Sequence, residues 1–312
     1  MNSTAAPPHW TSARERSNRF ALWLIVWIAL HLGRPVARLL LHPITAYFVV
    51  FSPKARRQSK RYLNRVLGRR AALADGYRHV HAFAACALDR IWFVKNRMDV
   101  FDLEVLNEKL VDDTLAEGRG AFLLGAHIGS FEALHSVGAS RPGLKVAMVM
   151  YPENARMIHG VLQAIAPEFE MGIIAIGTRG STLQIRDWLD NGGLVGLLGD
   201  RFLPTDAARA APTMLPFLGV PAPFSDGPFR LAMLLKRRVI FMAGLYRGGN
   251  RYEIAFDELA DFNHPPEDPA EHERLVREAL ERYVRRLESL VREAPYNWFN
   301  FHDFWHEDAA AS

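Results

Sequence analysis

The sequence predicts an α/β fold: a mostly parallel central sheet with helices on both faces, preceded by an apolar and basic helical segment of membrane-anchor type. Three observations carry this. From about residue 120, short apolar runs alternate with helical stretches; residues 16–74 join apolar runs to charge of a single sign; and 49% hydrophobic with 23% charged residues is the composition of a chain with a core, not of a disordered one. At 312 residues two domains would fit, but one α/β domain over 75–312 behind an extension over 1–74 accounts for the same length.

Residues 1–15 are polar and contain proline, so disorder is expected there. Residues 20–30 form an uninterrupted apolar run of eleven, and 36–51 is apolar apart from Arg38, His42 and Pro43. Eleven falls short of the roughly 20 residues that span a bilayer, and Arg34 with Pro35 breaks the stretch, so no transmembrane helix is expected. Residues 16–74 hold twelve Lys or Arg and no Asp or Glu. Because residues 1–15 are neutral overall, the net +4 of the chain leaves −8 from Asp75 onward. Such local basic charge suits nucleic acid or an anionic membrane surface, and the apolar neighbours together with the acidic remainder select the membrane and exclude nucleic acid. The cluster Lys54, Arg56, Arg57, Lys60, Arg61, Arg65, Arg69 and Arg70, each worth about 1 kcal/mol against anionic lipid, combines with interfacial Trp23 and Trp27 into a monotopic anchor. The alternative is a buried helix hairpin with a solvated basic face. No small-residue cleavage site follows the apolar run, and the single cysteine, Cys86, permits no intrachain disulfide, so a cytoplasmic setting is expected.

Helix formers and spaced apolar positions predict helices over 56–70 and 75–98. Buried strands are expected over 121–126, 144–151, 171–177, 194–199 and 239–245, with helices over 130–139, 155–166, 181–191 and 228–237 between them. Residues 251–256 alternate as an edge strand would. A long amphipathic helix follows over 269–294, with Leu275, Ala279, Leu280, Tyr283, Leu287, Leu290 and Val291 on its apolar face. The aromatic close, 295–305, must be buried or must face lipid or ligand.

The most informative passage is 120–138, GAFLLGAHIGSFEALHSVG, in which a buried strand runs into His127 and a helix starts after Gly129 and Ser130. The carboxyl end of a strand in an α/β sheet is where ligands bind. On one continuous helix His127 and Glu132 would not face each other; with a turn between them, Glu132 can accept from the imidazole Nδ1 and raise the basicity of Nε2, as a general base acting on a hydroxyl requires. A histidine closing a strand end, with Glu132 at the helix N-terminus, is the plainer alternative. The small residues around His127 leave space for a bulky group.

This passage resembles the lipid A late acyltransferases of the lysophospholipid acyltransferase superfamily, whose mark is His, four residues, then Asp or Glu: here His127-Ile-Gly-Ser-Phe-Glu132. Further passages resemble the family in order. Met150-Tyr151-Pro152-Glu153-Asn154 is similar to its Tyr- and Asn-containing segment, with Arg156 the nearest candidate for an Arg that is displaced. Leu197-Leu198-Gly199-Asp200-Arg201 ends a strand as its Asp-containing segment does. Leu215 to Gly219, then Phe224-Ser225-Asp226-Gly227-Pro228, resemble its Phe-Gly block and the turn into a helix, and Trp298-Phe299-Asn300-Phe301-His302 its aromatic end. The wording of these motifs resembles a subgroup associated with aryl polyene and related lipid pathways.

The resemblance implies transfer of a fatty acyl chain from acyl carrier protein or coenzyme A to a hydroxyl or amine of a lipid or glycolipid acceptor. It places the reaction at the cytoplasmic face of a bacterial inner membrane, with no metal or other cofactor. His127 would be the base and Glu132 its partner, with backbone N–H groups near Gly129 and Ser130 facing the oxyanion. Asp200 and Arg201 would bind the acceptor or brace the site, an ion pair closing a loop being the equal alternative. Arg230, at a helix start, would bind phosphate, and Ser225 and Asn154 are weaker substrate contacts. Gly-x-Ser-x-Gly, Gly-x-Gly-x-x-Gly and Walker sequences are all absent. The Glu132-x-x-His135 pair lacks the second copy that a carboxylate-bridged metal site needs. His79 and His81, two apart on a helix, are expected to be surface or satisfied core residues. A lipid-binding scaffold with the same fold is the competing reading.

Overall fold

The computed structural model describes residues 27–133, 144–152, 172–202 and 211–305. Among the described residues, 27–31 are helical and lead into helices α1 (Gly33–Phe51), α2 (Pro53–Val66) and α3 (Leu73–Val94). Strands β1 (Asp102–Leu106), β2 (Ala121–Gly125), β3 (Val146–Met150), β4 (Gly172–Ala175), β5 (Leu194–Leu198), β8 (Arg238–Tyr246) and β9 (Arg251–Asp261) form one sheet in the order β1-β9-β8-β2-β5-β3-β4. All neighbours are parallel except β8 and β9. Helices α4 (Glu108–Ala116), α5 (Ser181–Asp190), α6 (Gly227–Leu234) and α7 (Pro269–Glu293) complete the fold with a separate hairpin, β6 (Thr213–Phe217) and β7 (Val220–Phe224).

The apolar runs became strands for the expected reason. Every residue of β2 is buried, as are the seven inner residues of β8, because parallel strands at the centre of a sheet are covered on both faces. The edge assignment of 251–256 is corrected: β9 runs on to Asp261 between β1 and β8, and the edges are β1 and β4. No strand was expected at β1 (DLEVL), which is short and charged although its residues alternate, nor at β6 and β7, whose Pro216, Pro221 and Pro223 argue against a strand. Their hairpin closes through Leu218 and Gly219, both at positive φ, as a two-residue turn of this hand demands. The helix expected over 155–166 lies outside the described residues, as do residues 1–15 and Trp23.

Helix α1 packs Ala37 and Leu41 against Ala85, Leu88, Ile91 and Trp92 of α3. An ion network latches the pair: Arg34 grips fully buried Asp89 through two hydrogen bonds of 2.8 Å, Arg38 adds a third at 3.3 Å, and the Tyr252 hydroxyl donates to the same carboxylate. The opposite side of α1 leaves Val36, Leu39, Tyr47 and Val50 exposed. Among the described residues no single helix is long and apolar enough to cross a membrane; α1 and α2 together, bent by 94°, reach that length and composition. Part of the basic cluster is spent inside the molecule. Arg61 pairs with Asp303 at 3.6 Å, Arg65 lies 4.3 Å over the Trp305 ring and Arg69 binds Asp75 at 2.7 Å. The aromatic close is buried, with Trp298 inaccessible among Tyr62, Phe217 and Phe304.

Candidate active site

Strands β2 and β5 are parallel neighbours with Gly125 opposite Leu198, and Gly199 N–H extends the ladder by donating to Gly125 O. Two residues beyond each partner stand His127 and Asp200, so the register alone brings them together at the carboxyl edge. The His127 Nδ1–H donates to Asp200 Oδ1 at 2.8 Å, and the His127 backbone N–H donates to Oδ2 at 3.0 Å. The Trp298 indole N–H donates to Oδ2 at 2.8 Å. Three donors on one carboxylate fix both its position and its charge.

Asp200 is 1% exposed. Burial alone would raise its pKa, but the imidazole beside it, the His127 and Trp298 hydrogen bonds and the Arg201 charge win, holding it well below the usual carboxylate range. An ionised Asp200 only accepts, so Nδ1 of His127 carries the proton and Nε2 is the free base. Burial lowers the His127 pKa, Arg201 lowers it further, and Asp200 opposes both. The net shift is downward, so the imidazole is neutral at neutral pH with 29% of its side chain open.

The expected bond between His127 and Glu132 is not formed. The single Nδ1 proton goes to Asp200, while Glu132 sits 2.6 Å from Arg90 Nε on α3 and accepts from Ser130 Oγ at 3.3 Å. The reason lies in the loop. Gly129 takes φ +63°, and a Cβ there would lie 1.8 Å from Gly244 O, so the chain crosses β8 in near contact and enters the next helix facing α3. Gly129 N–H donates to Asn297 O and Ser130 N–H to Gly244 O, so both expected oxyanion donors are already engaged. Ser130 Oγ accepts from Ala133 N–H and caps the new helix.

Arg201 adjoins Asp200, and its Nε, shut off from solvent, has no hydrogen-bond partner among the described residues. Arg230 is committed elsewhere: Asp226 binds its Nε at 2.8 Å and Glu273 both remaining nitrogens, so the charge meant for phosphate is already met. Ser225 Oγ accepts from Gly227 N–H in the turn before α6. Asn154, Arg156 and His135 lie outside the described residues.

Sequence reasoning missed the support behind Asp200. His79, fully buried, donates from Nε2 to Trp298 O at 2.8 Å, and its Nδ1 accepts from Ser59 Oγ at 2.8 Å. A hydrogen-bonded series thus runs from Ser59 on α2 through His79 and Trp298 to Asp200 and His127. Phe299 N–H donates to His127 O, and Tyr283 OH to Gly125 O. The sequence offered His79 as a surface or satisfied core residue and Trp298 inside the aromatic close, but nothing that joined them to Asp200.

Fold and site define an α/β enzyme whose imidazole–carboxylate pair sits at the carboxyl edge of a parallel sheet. The chain belongs to the bacterial lipid A biosynthesis acyltransferase family, whose model matches residues 10–307. No curated protein matches it. Membership makes it an acyltransferase, with an acyl thioester donor and a lipid acceptor in general terms.

Proposed function

We propose that the protein moves a fatty acyl chain from acyl carrier protein or coenzyme A to a hydroxyl or amine of a lipid or glycolipid at the membrane surface, with His127 as general base and Asp200 as its orienting partner. The observation that supports this most directly is Asp200 on Nδ1, which leaves Nε2 unprotonated. As the acceptor oxygen or nitrogen attacks the thioester carbonyl, its proton passes to Nε2 and an oxyanion forms. Collapse breaks the C–S bond, and the imidazolium returns the proton to the leaving thiolate. Asp200 balances the transient charge on the ring. Arg201, close enough to act on both His127 and Asp200, is the cation best placed to meet the oxyanion. Glu132 holds the loop through Arg90 and Ser130. The exposed apolar side of α1 and the basic residues of α2 supply contact with the cytoplasmic face of an anionic membrane. The motif wording narrows the acceptor toward aryl polyene-type lipids.

Membranes containing the protein or its His127→Ala form are incubated with labelled acyl carrier protein or acyl-coenzyme A and a bacterial lipid extract. Wild type is expected to yield a new labelled lipid whose mass identifies the acceptor, and loss of the base is expected to lower transfer about 10²- to 10⁴-fold. No transfer by wild type from either donor would favour the lipid-binding scaffold.

A further inference from the structure

Where α1 and α3 meet the end of β8, a cavity of about 240 Å³ opens. Its wall is built from Tyr77, Arg78 and His81 of α3, His42 of α1, Tyr246 of β8 and Asn297, and no carboxylate stands among its lining residues. The His42 and His81 rings stack at 4.9 Å, and the Tyr77 hydroxyl lies 2.8 Å from His42 Nδ1. His81 Nε2 is closed to solvent and has no hydrogen-bond partner among the described residues. Arg78 is exposed, has no carboxylate partner among the described residues and lies 5.9 Å from the Tyr296 ring. Arg38, by contrast, is matched by Asp89. Burial above all, then His42 and Arg38, disfavour a proton on His81, so its ring is held neutral.

The Arg78 guanidinium beside hydroxyl and ring N–H donors, with no acid in the lining, selects an anion, and aromatic walls suit one attached to an apolar body. Such a body has a place to lie. His42 is exposed on α1, one turn from Leu39, which belongs to the exposed apolar side of that helix. We propose that this cavity binds the phosphate of a lipid headgroup, with the acyl chains along the exposed side of α1. Asn297 joins the cavity to the candidate active site: its side chain clamps the Tyr246 backbone from both sides, and its carbonyl accepts Gly129 N–H in the loop that carries His127. A lipid held here borders the catalytic loop without using His127, so the binding stands apart from the transfer chemistry.

The test uses the full chain with phosphatidylcholine vesicles, with or without phosphatidic acid, scored by flotation. Arg78→Lys keeps the charge but loses the guanidinium fork, and Tyr77→Phe removes only a hydroxyl; each is expected to weaken binding to phosphatidic acid vesicles about tenfold, with melting temperature unchanged. His127→Ala is expected to bind as wild type does. Diffuse attraction to negative charge would be blind to both cavity variants, so wild-type binding by both overturns the proposal. Inorganic phosphate alone, followed by ³¹P line broadening, separates the sources. Loss of phosphate binding in Arg78→Lys with vesicle binding intact would mean a site for free phosphate, and would overturn the lipid assignment.

Discussion

His79 has no solvent access and no charged partner, and both ring nitrogens are occupied by neutral groups, so folding favours its uncharged form. Burial, against the pull of the Trp298 carbonyl, brings its pKa from the ordinary 6.5 down to about 4. The unfolded chain therefore takes up this proton first as the pH falls. The contribution is whole above pH 6.5 and is lost on the way to about 4; that difference is worth about 3 kcal/mol. His127, also lowered, acts with the same sign. Urea midpoints measured from pH 7 to 4 should fall for wild type and fall less steeply for His79→Phe. At this scale the sequence was partly legible. His127 stood out because it ends a buried strand between small residues. Asp200 was expected, at a strand end, to bind the acceptor, brace the site or close a loop, and its claim on Nδ1 over Glu132 depends on the register of β2 against β5, which no local pattern encodes.

Helices and strands were legible where burial made them apolar throughout, as in β2, β5 and β8, or where one side packs, as in α7. They were hidden where charge or proline masked the pattern, in β1 and the β6–β7 hairpin. Helix α1 read as an apolar segment, but its attachment was not legible, since Arg34 and Arg38 stood out only as interruptions of the apolar runs whereas they reach inward to Asp89. That carboxylate is wholly buried, and its removal leaves two arginines that are only 14% and 15% exposed without a counter-charge. Asp89→Ala is therefore expected to cost about 3–5 kcal/mol, measured by denaturant unfolding, and to expose α1 to limited proteolysis before the sheet unfolds.

Over the whole molecule, the alternation of strands and helices was enough to give the layered α/β architecture, and the one-sided charge of residues 16–74 was enough to single out the N-terminal segment. The series from Ser59 to His127 was not legible, because its members come from α2, α3, the chain end and two strand ends and meet only after folding. Its consequence for the proposed mechanism is that the carboxylate bonded to the His127 imidazole is that of Asp200, which follows β5, while the motif's own Glu132 pairs with Arg90. The most direct test is a single-turnover acyl transfer assay on Asp200→Asn and Glu132→Gln, each first shown to melt as wild type does. Asparagine at 200 no longer enforces the Nδ1–H tautomer, so transfer is expected to fall by about 10²- to 10⁴-fold, while Glu132→Gln, which loses a partly exposed ion pair, is expected to fall by less than about tenfold. The reverse order, with Glu132→Gln inactive and Asp200→Asn near the wild-type rate, would contradict the account.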